Sequence, residues 1–422
     1  MEYRRRIIDQ TLDNVLGSLP AIAIEGAKGV GKTATATQRA ADVFTLDHEG
    51  VRRAITLAPE LVLQSQPLTF IDEWQMVPAV WNEVRHAVDA GAPAGRFLLA
   101  GSALPRPTAR IHSGAGRIVR LVMRPMTLLE RGLATPTVSL AALLAGGGPD
   151  IAGRTELSTI DYVHEITASG FPGIRAADDQ ARPYLLDSYV ARLVDHDIAE
   201  AGGVVRRPQS LLNWLRAYAA ASATTASYTS LLSAATLGDE AKPAKETATA
   251  YRDLLQRIWV LDPLEAWLPA SSHLKRLGLA PKHHLVDPAL AAHLVGLTAD
   301  SLIRGQGPAR PGDSTFLGAL FESLAAQSVR VLAEANRAKV FHLRTQGGDH
   351  EVDLIVQRVD GQVVAIEVKL SSAVRPADIA HLNWLSDRLP HTVIDKVILN
   401  TEQRAYRRPD GIAVVPLGLL GL

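Results

Sequence analysis

The run Ala21-Ile22-Ala23-Ile24-Glu25 passes directly into Gly26-Ala27-Lys28-Gly29-Val30-Gly31-Lys32-Thr33, an apolar strand followed by G-x-x-x-x-G-K-T. No other stretch restricts the fold as tightly. A backbone that wraps a phosphate must curl with no Cβ in its path and then open a helix whose N-terminus favours anions. Gly26, Gly29 and Gly31 permit the curl. Lys32 is placed to reach the β- and γ-phosphates of ATP, and the hydroxyl of Thr33 to reach Mg²⁺. Such a loop belongs at the carboxyl end of a strand in a parallel α/β sheet.

A second segment fits the same sheet. Pro67–Ile71 reads as a buried strand and ends in Asp72-Glu73. Carboxylates at a strand end beside a phosphate loop suit metal and water: Asp72 as a metal ligand, Glu73 as the group that orients or deprotonates the attacking water. Five strands are predicted in this region, Ala21–Glu25, Val43–Asp47, Leu68–Ile71, Arg96–Ala100 and Arg117–Met123, separated by helical stretches such as Val77–Val88. The alternation predicts a parallel sheet covered on both faces. Ser102, just past the fourth strand, is a candidate γ-phosphate sensor. Arg117, at the start of the fifth, is a candidate phosphate contact in its own chain or a neighbour.

Bulk composition narrows the rest. With 422 residues and 47% hydrophobic content the chain can bury more than one core. Its formal net charge is zero, so any DNA or RNA contact must come from a local patch. It has no cysteine, which excludes disulfides and thiolate metal sites. The basic start Met1–Arg6 runs into Ile7-Ile8-Asp9-Gln10, which breaks a signal-peptide core. No apolar run is read as a membrane span, and a cytoplasmic location without membrane partners is expected.

The middle of the chain is less specific. Residues 133–160 contain Gly146-Gly147-Gly148-Pro149 and read as a linker or mobile loop. Helices are predicted from Thr159 to Ala201, interrupted by a turn at Ser169–Gly173. Residues 209–270 are read as a winged helix: helices over Leu211–Ala221, Leu231–Ala235 and Lys245–Arg257, then a strand at Ile258–Leu261. Lys242, Lys245, Arg252 and Arg257 give its third helix positive charge, and Lys275-Arg276 with Lys282-His283-His284 add a basic cluster. The paired histidines lack companions at metal spacing.

The carboxyl third carries the other chemical pattern. His350–Val356 alternates as a strand, Asp360-Gly361 is a turn dipeptide, and Val363–Leu370 is a second strand. Glu351 and Asp353 share one face, as do Glu367 and Lys369. Pairing the strands gathers acids and one lysine, and buried charges of that kind need a metal or mutual pairing. The D…E-x-K spelling suits Mg²⁺ held by Asp353 and Glu367 with Lys369 positioning a water; Glu322, on an upstream helix, is a further acid.

Taken together, GAKGVGKT (26–33), FIDEWQMVP (70–78), RFLLAGS (96–102), GRIVRLVMRPMTLLE (116–130), GFPG (170–173), KRLGLAPKHHLVDPAL (275–290), GALFE (318–322), and EVDLIV with AIEVK (351–369) resemble a widespread prokaryotic family of ATP-binding proteins. In that family an AAA-type P-loop core is fused to a C-terminal domain of unknown function ending in a restriction-endonuclease-like, PD-(D/E)xK fold. The resemblance implies nucleotide contact by Gly31, Lys32 and Thr33, metal and water roles for Asp72 and Glu73, and a nuclease-like site at Glu322, Asp353, Glu367 and Lys369. The family's acid–aliphatic–Gln appears here as Glu73-Trp74-Gln75, and Ala27-Lys28 stand inside the loop. The expected organisation is a P-loop ATPase core at 1–135, a linker and helical region at 136–208, a winged-helix-like domain at 209–270 and a nuclease-like domain at 271–422. The expected function is a Mg²⁺-dependent ATPase acting as a switch for a nucleic-acid-directed C-terminal module. The alternative is a nucleotide-regulated scaffold that binds DNA or RNA through its winged-helix and C-terminal domains without cutting.

Overall fold

The computed structural model describes residues 3–103, 113–200, 202–203, 205, 207–236, 245–269, 277–310 and 315–422. Two compact units emerge. The first comprises Met1–Arg124, Ala191–Arg206 and Arg252–Val260; the second comprises Pro125–Val190, Arg207–Tyr251 and Leu261–Leu422.

The first unit is built on a parallel sheet of β1 (Ala21–Glu25), β2 (Asp42–Thr45), β3 (Thr69–Asp72), β4 (Phe97–Gly101) and β5 (Val119–Val122), in the order β2-β3-β4-β1-β5. All five predicted strands form. β1 is buried along its whole length, as expected for a central parallel strand. Helices α1 (Ile7–Val15), α2 (Lys32–Thr37), α3 (Glu49–Leu57) and α4 (Ala79–Asp89) accompany the sheet. On one face Ala21, Ala23, Ile71, Phe97 and Leu99 share a core with Val80, Trp81 and Val84 of α4. Trp74 and Trp81 meet there in a tilted ring contact with centroids 4.4 Å apart. α1 is fastened by charge to the segment just after α2: Arg39 donates to Asp9 and Asp13, both at 2.6 Å.

The second unit has a seven-stranded mixed sheet. Its strands are β7 (Ala152–Arg154), β8 (Lys339–Arg344), β9 (Glu351–Gln357), β10 (Val363–Val368), β11 (Val393–Asn400), β12 (Arg404–Arg407) and β13 (Ala413–Pro416), in the order β7-β12-β13-β11-β10-β9-β8. β8, β9 and β10 form an antiparallel meander, whereas β10 and β11 are parallel. A short pair joins β6 (Val138–Ser139) to β14 (Leu420–Gly421). The helices of this unit include α5 (Leu140–Ala145), α6 (Thr159–Thr167), α7 (Pro208–Ala220), α8 (Tyr228–Ala234), α9 (Pro288–Leu294), α10 (Phe316–Ala335) and α11 (Pro376–Arg388). α10 packs against β8, β9 and β10. Leu382 and Leu385 of α11 share a core with Val352, Ile355, Val363 and Ala365.

Three expectations change. Residues 133–160 are not a bare linker: Leu140, Leu143 and Leu144 bury one face of α5, and β7 forms an edge of the large sheet. The glycines at 146–148 only make the turn between them, each with positive φ. The helices of the supposed winged helix form, but Ile258–Leu261 makes no wing strand. Leu261 and Leu264 instead form isolated bridges to Leu285 and Lys282, and the helix Lys245–Arg257 divides between the two units. Finally, α10 is long and apolar enough to cross a membrane by length and composition, though 72% of its most apolar window is buried in the protein.

Asp287 shows how the second unit is tied together. It caps α9 through the Ala289 amide at 2.8 Å and accepts from Ser169 Oγ at 2.9 Å and Gly170 N at 2.7 Å, fully buried. Replacing it removes three bonds from three buried donors. Asp287→Ala is expected to lower stability by about 3 kcal/mol, with Asp287→Asn closer to wild type, as read by urea denaturation.

Candidate functional site

At the carboxyl end of β1 the chain turns through Gly26, Gly29 and Gly31, with φ of 156°, 81° and 105°. A Cβ on Gly26 would stand 2.2 Å from the carbonyl oxygen of Met123, so only glycine allows the loop to leave the sheet there. Lys32 folds back across the loop and donates to Gly26 O at 2.8 Å and Ala27 O at 2.9 Å. Burial lowers its pKa to about 8, with Glu73 and Asp72 opposing. From outside, the buried Arg6 clamps the loop by donating to Val30 O at 2.9 Å and Arg124 O at 2.8 Å. Arg6 was not picked out from the sequence, where it reads as one of several basic residues before a helix.

The second segment meets the first. Thr33 Oγ1 donates to Asp72 Oδ2 at 2.7 Å. Asp72 closes β3 and is buried, and desolvation raises its pKa even though the Thr33 bond opposes the shift. Glu73 takes a left-handed turn, φ 51° and ψ 44°. Its Oε2 accepts from Ser102 Oγ at 2.7 Å and from Gln75 Nε2. A Cβ on Gly101 would lie 2.8 Å from Trp74 Nε1 and 2.9 Å from Gln75 Oε1, so this turn needs a glycine at the end of β4. Gly26, Gly29, Gly31, Lys32, Thr33, Asp72, Glu73 and Ser102 therefore gather at one end of the sheet. The residues present fit a magnesium nucleotide: a loop turned by three positive-φ glycines, a buried ammonium, and a hydroxyl–carboxylate pair of hard oxygen donors.

Arg117 does not join them. It precedes β5, which runs parallel to β1, so it lies at the amino end of the sheet, about 15 Å of strand away from the loop. Its Nε donates to Asp89 at the end of α4, 2.8 Å away. Another loop residue has an unforeseen partner: Lys28 Nζ lies 2.8 Å from both Asp197 and Glu200. Those acids sit on a π-helical turn (Leu193–Asp197) and the short helix after it, within the first unit.

The carboxyl-terminal residues also converge, around a group that sequence reasoning missed. Lys282 Nζ lies 2.8 Å from Glu322 Oε1, 2.8 Å from Glu351 Oε1 and 3.0 Å from Asp353 Oδ1. Its side chain is 1% exposed. Lys369 Nζ donates to Glu367 Oε1 at 2.7 Å, and the amide of Val368 donates to Asp353 Oδ2 at 2.9 Å. Burial, with the nearby Asp353, pushes Glu367 up to about 8, and the same pair of causes takes Glu322 up to about 7. Burial alone would raise Asp353 too, but Lys282 and Lys369 outweigh it and hold the group at about 2. Glu367 Oε2 is buried with no hydrogen-bond partner.

The basic cluster read at 282–284 is thus interior rather than a surface patch. His283 Nε2 bonds Ala226 O at 2.7 Å, His284 Nδ1 bonds Ser323 Oγ at 2.9 Å, and burial lowers the pKa of both. Of the other basic candidates, Lys242, Lys275, Arg276 and the side chain of Lys245 lie outside the described residues, and Arg252 pairs with Asp253 at 2.7 Å.

Comparison with known proteins gives matches over three stretches of the chain. Residues 18–131 match the family described as "AAA domain". The amino-terminal part of the chain is similar to AAA-type P-loop domains. Residues 160–301 and 317–420 match two families described as domains of unknown function, DUF8612 and DUF4143. The uncharacterized proteins Mb2031c of Mycobacterium bovis and Rv2008c of Mycobacterium tuberculosis are each 26% identical over 377 residues, 88% of this chain and 75% of theirs. Among solved structures, the Walker-type ATPase PABY2304 of Pyrococcus abyssi aligns with a TM-score of 0.38 at 13% identity, over 68% of this chain and 94% of that one. The Aeropyrum pernix ORC2 protein, in ADPNP–ADP complexes, aligns with a TM-score of 0.28 at 13% identity, over 76% and 93%.

The geometry separates Ser102 from Arg117. Ser102→Ala removes a donor from Glu73 and is expected to slow ATP turnover about tenfold, whereas Arg117→Ala is expected to stay within about twofold of wild type, measured as phosphate release.

Proposed function

We propose that this chain is a Mg²⁺-dependent ATPase whose nucleotide state controls a C-terminal module directed at nucleic acid. The Thr33–Asp72 hydrogen bond carries the first half of this reading. It joins the phosphate loop to the acidic strand end where a metal ligand pair is needed, with Glu73 one residue further on. The loop amides and Lys32 would hold the triphosphate, and Thr33 and Asp72 would hold Mg²⁺, which draws charge from the phosphate oxygens when bound. Glu73, fixed by Ser102 and Gln75, serves as the acceptor for a proton of the attacking water.

The switch role draws support from Lys28. Its ammonium is held by Asp197 and Glu200, and a triphosphate in the loop offers it competing anionic oxygens. Nucleotide arrival would thus loosen the π-helical turn at 193–197, a type of helix irregularity common at functional sites. Release of that turn is the local event that a switch requires.

For the C-terminal module, support comes from the helix–meander–helix–strand order of α10, β8, β9, β10, α11 and β11, and from the acids it brings together. Glu322, Asp353 and Glu367 would supply oxygen donors of the kind Mg²⁺ or Mn²⁺ takes, and the unpartnered Glu367 Oε2 is consistent with a cation ligand. Lys369 would position a water. A second reading, a nucleotide-regulated nucleic-acid-binding or scaffold protein that does not cut, is favoured by one observation. Lys282 already supplies a cation to Glu322 and Asp353.

Lys32→Ala and Glu73→Gln are each expected to reduce ATP hydrolysis at least about 100-fold with unchanged circular dichroism. Equal turnover in wild type and both variants would remove the assignment of these residues. With DNA or RNA and Mn²⁺, cutting that disappears in both Asp353→Ala and Lys369→Ala is expected of the nuclease reading. Cutting that survives both substitutions contradicts it, and retained binding without cutting selects the scaffold reading.

A further inference from the structure

Lys282 is a buried charge of the second unit, and each of its three ammonium protons has a different carboxylate to meet. Those carboxylates come from two elements, Glu322 from α10 and Glu351 with Asp353 from neighbouring same-face positions of β9. Two of them, Glu322 and Asp353, are also the oxygens a divalent ion would need. A Mg²⁺ or Mn²⁺ ion needs its oxygen ligands at roughly 2.1 Å, much closer than an ammonium draws them. The two cations therefore cannot share these atoms. Asp353 is further committed, since its second oxygen accepts from the Val368 amide. Glu351 is shared with Arg344, whose Nη1 lies 3.3 Å away.

We propose that Lys282 is a built-in cation that closes the carboxylate cluster to divalent ions, so that metal enters only when this ammonium is withdrawn or removed. The proposal rests on the reading of Glu322, Asp353 and Glu367 as a cation site, and it specifies how that site is regulated. The buried ammonium neutralises acids that would otherwise repel one another, so the domain is folded without metal. The unpartnered oxygen of Glu367 is the ligand that the ammonium leaves unused. Displacement of the segment carrying Lys282, which pairs with Leu264 through an isolated two-residue bridge rather than a continuous strand, would open the cluster.

The test is nucleotide-free thermal unfolding and calorimetry with MnCl₂ on wild type, Lys282→Met and Lys282→Met/Glu322→Gln. Methionine keeps the buried stem and deletes the charge. Wild type is expected to show no rise in Tm with millimolar Mn²⁺. Lys282→Met is expected to melt lower than wild type in metal-free buffer and to gain about 5 °C with Mn²⁺, a gain lost in the double variant. Should Lys282→Met not fold, Lys282→Met/Glu351→Gln removes one charge of each sign and leaves Glu322, Asp353 and Glu367 for the same titration. Equal Mn²⁺ affinity in wild type and the Lys282 variant would keep the cation site but overturn the role of Lys282. A folded Lys282 variant with neither heat nor a Tm shift would overturn the cation site itself.

Discussion

A buried ammonium ion must be surrounded by oxygen, and each unit of this protein meets that requirement once at its site. In the amino-terminal unit Lys32 turns back onto the carbonyls of Gly26 and Ala27, within a loop that only glycines could close. In the carboxyl-terminal unit Lys282 sits among three carboxylates. These bonds offset part of the desolvation cost of each charge, with Glu73 and Asp72 adding to them for Lys32, so the positions of the surrounding oxygens are tightly coupled to the lysine. The two lysines differ in what they hold. Lys32 binds neutral carbonyls, which phosphate oxygens would readily outcompete, and burial depresses its pKa. Lys282 binds full negative charges, which outweigh burial and raise its pKa well above the usual value. One ammonium rests on neutral acceptors; the other is already neutralised from within.

Strand direction explains much of the rest. In a parallel sheet every loop that follows a strand lies at the same end, which is why Gly26, Asp72, Glu73 and Ser102 gather although up to 76 residues separate them in sequence. The same rule places Arg117, which precedes its strand, at the far end with Asp89. Gly101 and the left-handed Glu73 complete the arrangement by letting the Trp74–Gln75 turn lie against β4.

The sequence made the amino-terminal sheet legible because its strands are continuous apolar runs and its loop has a fixed spelling. The hairpin of β9 and β10 was legible from alternation and the Asp360-Gly361 turn. Other features were not. Lys282 looked like part of a basic surface run, since its partners lie 40 and 71 residues away and no spacing rule connects them. That Arg117 lies away from its own chain's phosphate loop was not legible, because a position next to a strand does not say which end of the sheet it occupies until the strand's direction is known. The glycines at 146–148 suggested a linker, while the nearby Leu140, Leu143 and Leu144 were already at helical spacing and were overlooked. The wing predicted at Ile258–Leu261 failed because an apolar run is not a strand without a partner, and here only isolated bridges form.

The central claim is that the amino-terminal loop takes up a triphosphate with its metal. Calorimetric titration with a non-hydrolysable ATP analogue and Mg²⁺ tests it most directly. The account requires saturable binding of one nucleotide per chain in wild type and loss of that heat in Lys32→Ala. Wild-type protein that is folded yet gives no heat, or a Lys32→Ala variant that binds as tightly as wild type, would contradict it.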